Sequence, residues 1–160
     1  MSEKIKIDLI EDFTQHYLQT TSLPPLATKI FSFLLVDGEK DGYTFDEFVD
    51  IFKVSKSSVS SSLNMLIKSD YIAPYNKIGE RKRRYKITEQ LLPLRLKRTK
   101  KELIREKYLS EKLMQYRSET TKTMDSLNVE KGKIYVTHLE NAIERLEETI
   151  DRLEKLTHKI

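Results

Sequence analysis

Between Val136 and Ile160 apolar residues return at alternating intervals of three and four, and this repeat limits the fold more than any other feature of the chain. With Leu139, Leu146, Leu153 and Ile160 as d positions, Val136, Ile143 and Ile150 fall at a, and Thr157 follows in the same register. β-Branched residues at a with leucine at d favour two parallel strands of a coiled coil. Roughly three heptads is the minimum for that assignment, so an amphipathic helix packed on its own chain stays open. Either way the seam cannot stay in water, and a partner surface must cover it. The candidate dimerisation residues are therefore Val136, Leu139, Ile143, Leu146, Ile150 and Leu153.

At 160 residues and 38% hydrophobic content, the chain has room for about one compact domain plus an extension. Cysteine is absent, which excludes disulfides, thiolate nucleophiles and zinc-thiolate centres. Met1-Ser2-Glu3-Lys4 leads into an acidic amphipathic stretch rather than a signal sequence, and no run approaches the roughly 18 apolar residues of a membrane span. The expectation is a cytoplasmic protein with no membrane contact. Residues 1 to 52 carry 4 basic and 10 acidic side chains, whereas residues 53 to 107 carry 16 basic and 5 acidic, a net charge of +11. Such a block inside an otherwise acidic chain is the footprint of phosphate binding, with a solvated lysine-rich surface as the plainer alternative.

Ile5, Leu9, Phe13 and Tyr17 recur every four residues and predict an inward helix face between Ser2 and about Thr20. Leu23-Pro24-Pro25 breaks it, and Leu26, Ile30, Phe33 and Leu34 restart a helix that ends at Asp37-Gly38. Thr44 and Glu47 have capping-box spacing, opening a third helix with Phe45, Phe48 and Phe52 inward. Ser55 caps a fourth, whose inward stripe is Val59, Leu63, Leu66 and Ile67. Tyr71 to Tyr75 and Arg83 to Ile87 then flank a polar segment containing Gly79, the pattern of a β-hairpin. Helical spacing continues from Thr88 for nearly forty residues, with Pro93 at a helix start or a kink. The last plausible break is Asn128 to Gly132.

The fold class expected is mainly α with a small β-hairpin wing: a winged helix-turn-helix plus long dimerisation helices. Residues 1–22 form an N-terminal helix for dimer or core packing, 23–90 the DNA-binding domain, and 91–160 a helical dimerisation region. Thr44 to Phe52 would support, Ser55 to Lys68 would recognise, and Lys53-Val54 would make the turn. In that motif the second helix enters the major groove with its N-terminal residues nearest the bases. At 100° per residue, Ser57, Ser61, Asn64 and Lys68 lie opposite the apolar stripe, Ser58 and Ser60 flank it, and Lys56 adds a first-turn charge. Small hydroxyl side chains permit close approach to phosphates. A serine-rich linker would not carry the apolar face that ends in Leu63-Asn64-Met65-Leu66-Ile67. Arg81, Lys82, Arg83 and Arg84 supply a compact basic run on the wing, suited to phosphates or a minor groove. Because strand residues alternate, not all four reach DNA at once, and Arg81 and Lys82 are nearest the loop.

Three stretches, Leu26-Ala27-Thr28-Lys29-Ile30, Ser55-Lys56-Ser57-Ser58-Val59-Ser60-Ser61-Ser62-Leu63 and Gly79-Glu80-Arg81-Lys82-Arg83-Arg84-Tyr85, together resemble the signature segments of MarR-superfamily regulators, specifically the GbsR-like branch. The resemblance covers roughly residues 20 to 110. It implies a dimeric winged-helix repressor or activator, tuned by a small-molecule effector whose identity no motif here transfers. The C-terminal helix would then belong to the dimer interface. The DNA expected is a double-stranded, pseudo-palindromic operator read by a homodimer.

Two decoys are set aside. Asp37 to Phe48 imitates an EF-hand loop, but position 12, which must be a bidentate carboxylate, is Phe48. His16, His138 and His158 lie far apart with no nucleophile or carboxylate pattern beside them, so neither catalysis nor a metal or other cofactor is expected. The alternative from another class is a winged-helix docking module for protein, which has no need for a +11 block coinciding with the recognition helix and wing.

Overall fold

The computed structural model describes residues 2–38, 41–120 and 125–157, with the Ser2 side chain left aside. The chain divides into two compact units, Met1–Leu91 and Leu92–Ile160. Ile160 and His158 lie outside the described residues.

In the first unit α1 (Ser2–Thr20) and α2 (Pro25–Val36) precede β1 (Tyr43–Thr44), α3 (Phe45–Phe52), α4 (Lys56–Lys68), β2 (Ile72–Asn76) and β3 (Arg83–Ile87). Pro25 occupies the first turn of α2, where a missing N–H goes unnoticed. At α3 the capping box forms as the spacing requires: Thr44 N–H donates to Glu47 Oε2 at 2.6 Å, and Glu47 N–H donates to Thr44 Oγ1 at 3.3 Å. The chain leaves α3 through Lys53 in the left-handed region (φ 51°) and re-enters helix at once behind Ser55, whose hydroxyl accepts from Ser58 N–H. That single reversal makes the turn between α3 and α4.

The sheet is three-stranded and antiparallel in the order β1-β3-β2, not a bare hairpin. Tyr43 pairs with Tyr85 and Thr44 with Arg84, while β2 pairs with β3 from Ile72↔Ile87 to Asn76↔Arg83. The core gathers Ala27, Ile30, Phe31, Phe48, Val59, Leu63, Leu66 and Ile72. Edge-to-face rings link Tyr17 to Phe31 and Phe31 to Tyr71, tying α1 and the start of the wing to α2. The face α1 buries is Ile10, Phe13, Thr14 and Tyr17; Ile5 and Leu9, expected inside, are exposed.

The second unit holds α5 (Leu91–Thr120, from its second residue) and α6 (Ser126–Thr157). Pro93 stands in the first turn of α5 and makes no interior kink. The helices run antiparallel and are tied by Lys97 to Glu154, Lys100 to Glu147 at 3.4 Å and Lys107 to Glu140 at 3.1 Å. Leu139 (2% exposed) and Ile150 (5%) are buried on α6, with Val136, Ile143, Leu146 and Leu153 half-buried in the same stripe. Residues 128 to 132 do not break this helix. Gly132 lies inside it because a Cβ there would come within 2.9 Å of Met114 Sδ on α5, so glycine lets the two helices close.

Candidate nucleic-acid interface

Burial of Val59, Leu63 and Leu66 turns the opposite face of α4 outward. Lys56, Ser57, Ser58, Ser60, Ser61, Asn64 and Lys68 are all exposed, so every residue assigned to this face from the sequence lies on it. Met65 is also partly exposed there, and sequence reasoning missed it. It lines a shallow groove with Ser57, Ser58 and Ser61, whose other wall is Pro24-Pro25-Leu26 at the start of α2.

The wing divides its cations into two sets. Lys82 Nζ donates to Asp46 Oδ2 at 2.7 Å, and Lys77 Nζ to Asp41 Oδ2 at 2.5 Å. Arg84 donates from Nε to Glu80 Oε2 at 2.8 Å and from Nη1 to the Gly42 carbonyl at 3.0 Å. With 18% of its side chain exposed, Arg84 braces β3 against β1 and the wing turn rather than facing solvent. Arg81 and Arg83 are exposed and make no ion pair among the described residues. Of the four basic residues expected to meet DNA, the structure therefore offers Arg81 and Arg83 openly, holds Lys82 on a neighbouring carboxylate, and gives Arg84 a structural position.

Asp46 ties the two elements together. The hydrogen bond from Lys82 holds its carboxyl below the usual carboxylate range, and the charges of Lys82 and Lys56 add to the effect. Lys56 opens α4 and Lys82 belongs to the wing, so charges from both elements bear on one carboxylate at the start of α3. Reciprocally, the Asp46 hydrogen bond raises the Lys82 ammonium. Glu47 is held low chiefly by the Thr44 backbone N–H it accepts. Arg84 is raised by its bond to Glu80, and Lys77 by its bond to Asp41.

Of the EF-hand imitation, Asp37 accepts from the Tyr43 hydroxyl and pairs with Lys6, and Asp41 pairs with Lys77; residues 39 and 40 lie outside the described residues. Among the described residues no cluster of His, Asp or Glu is placed to hold a metal ion, and no helix is long and apolar enough to cross a membrane.

No family model matches the chain, and no curated protein matches it in sequence. Among solved structures, one described as a transcriptional regulator superposes with a TM-score of 0.51 at 13% identity, over 96% of this chain and 96% of that one. The adhesin competence repressor AdcR from Streptococcus pyogenes aligns over 90% of this chain and 99% of its own at 14% identity, with a TM-score of 0.38. The first likeness shows the fold: a mainly helical winged-helix architecture of the kind found in a transcriptional regulator.

Proposed function

We propose that the chain is a sequence-specific DNA-binding transcriptional regulator that acts as a homodimer on a pseudo-palindromic operator, of the kind typified by the GbsR-like branch of the MarR superfamily. The observation that carries this reading is the exposed face of α4, which presents Lys56, Ser57, Ser58, Ser60, Ser61, Asn64 and Lys68, together with a wing whose exposed Arg81 and Arg83 have no ion pair among the described residues. In this reading α4 enters the major groove and the arginines meet phosphates or a narrow minor groove. The chain works in the cytoplasm and performs no catalysis.

The second unit would supply the dimer. A two-helix hairpin can bury only one seam, and Ile104, Tyr108, Leu113, Tyr116, Ile134 and Leu156 stay exposed outside it. A second copy would cover such a surface by twofold symmetry. Val136, Leu139, Ile143, Leu146, Ile150 and Leu153 then serve dimerisation by building the hairpin that presents these residues. A cleft of about 810 Å³ lined by Arg117, Lys131 and Tyr135 has the size of a small-molecule site, and an effector there would reset the separation of the two winged units. Half-sites lie about 34 Å apart, so a modest rotation ends simultaneous docking.

The test is selection of duplexes from random-sequence and genomic DNA across a salt series, with the mass of the protein measured in the same buffer. A dimeric mass and enrichment of a palindrome with steep salt dependence are expected. Absence of DNA binding at low salt would instead assign the face to protein docking.

A further inference from the structure

Ile78 stands at the tip of the wing with its whole side chain exposed (101%), the most exposed of the large apolar residues described. It is held there firmly. Glu80 N–H donates to the Lys77 carbonyl at 3.0 Å, closing a β-turn with Ile78 and Gly79 at its corners. Gly79 takes φ +85°, the value a type II turn demands at its third position and one glycine adopts without strain. Lys77 is anchored to Asp41, Glu80 to Arg84, and the Tyr75 hydroxyl to the Asp41 carbonyl, so both legs of the turn are braced.

A rigid turn that holds an isoleucine away from every apolar neighbour forgoes the stabilisation burial would give, and a polar residue fits that corner equally well. Arg81 follows this turn directly and Arg83 pairs with Asn76 across the hairpin, and neither has an ion pair among the described residues. An apolar point flanked by free guanidiniums matches the chemistry of a minor groove, where arginines follow the negative potential and an apolar wedge enters between bases. We infer that Ile78 is a minor-groove wedge, which partly unstacks a base step beside the half-site read by α4 and so selects for steps that deform easily. This rests on the DNA-binding reading above. Flexible pyrimidine–purine steps, TA and CA/TG, are the sequences it favours.

The test uses the full-length protein and the duplexes it enriches from a random library, with 2-aminopurine placed in turn at each step flanking the half-site. Wild type should raise fluorescence at one such step. Ile78→Ala should abolish that rise, weaken binding about tenfold per wedge and so about a hundredfold for the two chains of a dimer, the lower end of what burying two isoleucines contributes, and leave the salt dependence unchanged. Arg81→Ala should reduce the salt dependence, separating the cation from the wedge. Fluorescence that rises at no step with wild type, or an Ile78→Ala protein equal to wild type in affinity and fluorescence, overturns the wedge while DNA binding stands. Loss of dimer mass in Ile78→Ala overturns it too, by placing the residue against protein. If no duplex is enriched, both readings fall.

Discussion

On the proposed function, replacing Asp46 with asparagine should tighten DNA binding and make it more sensitive to salt. Lys77, Arg81, Lys82, Arg83 and Arg84 stand on or beside the wing, and Lys77, Lys82 and Arg84 are held by carboxylates of the same chain. When Lys82 leaves Asp46 for a phosphate, DNA releases a counter-ion but the abandoned carboxylate gathers one, so the net displacement is small. The amide of Asp46→Asn keeps the shape, gathers no cation and frees Lys82. Each phosphate newly neutralised changes the slope of log K against log salt by about −0.9, hence about −1.8 for two chains. Fluorescence anisotropy on an enriched duplex between about 50 and about 200 mM salt resolves such a change. An unchanged slope in Asp46→Asn, together with a loss of about 1.8 when Lys82→Ala is made in the wild-type chain, would refute the reasoning, because Lys82 would then have been on phosphate without hindrance. Acid does not substitute for the mutation: Lys82 holds the Asp46 carboxyl below its ordinary 3.8, so the pair stays charged wherever the protein is assayed near neutrality.

Thr44→Ala removes one half of the capping box and should lower stability by about 1 kcal/mol in chemical denaturation. The Glu47 carboxyl lies below its ordinary 4.5 because it accepts from Thr44 N–H. Its stabilisation is therefore complete above about pH 4.5 and lost as pH falls through the lower folded value, and Glu47→Gln should flatten that part of a stability–pH curve. Gly42→Ala should destabilise by roughly 2 to 4 kcal/mol: Gly42 has φ +61°, and a Cβ there would lie 2.9 Å from the Tyr85 carbonyl carbon and closer to its oxygen. Gly79→Ala at φ +85° meets nothing, so its loss should stay near about 1 kcal/mol; equal thermal melts for the two variants would contradict this steric account. Leu139→Ala should lower stability by roughly 2 to 4 kcal/mol, by an amount independent of protein concentration, since the residue is buried within the hairpin. A loss that grows on dilution would place it between chains.

Local signals carried the reading of the first unit. The outward face of α4 follows from Val59, Leu63 and Leu66 alone, and the Thr44–Glu47 box marks the start of α3 to the residue. Ile5 and Leu9 misled for a geometric reason: steps of four advance 400°, so a strict four-residue spacing drifts around the helix, whereas the buried face falls at i, i+3, i+4 and i+7 with Ile10, Phe13, Thr14 and Tyr17. Two residues are too few to show alternation, so β1 was invisible until β3 supplied its partner. The heptads of α6 announced a covered seam without saying by what. Its cover, α5, was hidden because Lys100, Lys107 and Ser110 occupy positions where an apolar repeat would be sought. Nor could spacing show that Lys82 lies on Asp46, 36 residues earlier. The sequence places cations along the wing, and only the fold separates those that pair with a carboxylate from those that do not among the described residues.

The placement of β3 between β1 and β2 bears on how the chain can diversify. A strand fastened along both edges cannot slip by one residue without turning Tyr85 and Ile87 out of the core they pack against. The turn at 77–80 and the serine face of α4 carry no such obligation. If the proposed function holds, new operators are open to descendants of this protein through changes at a handful of exposed positions, while the scaffold beneath them is inherited intact.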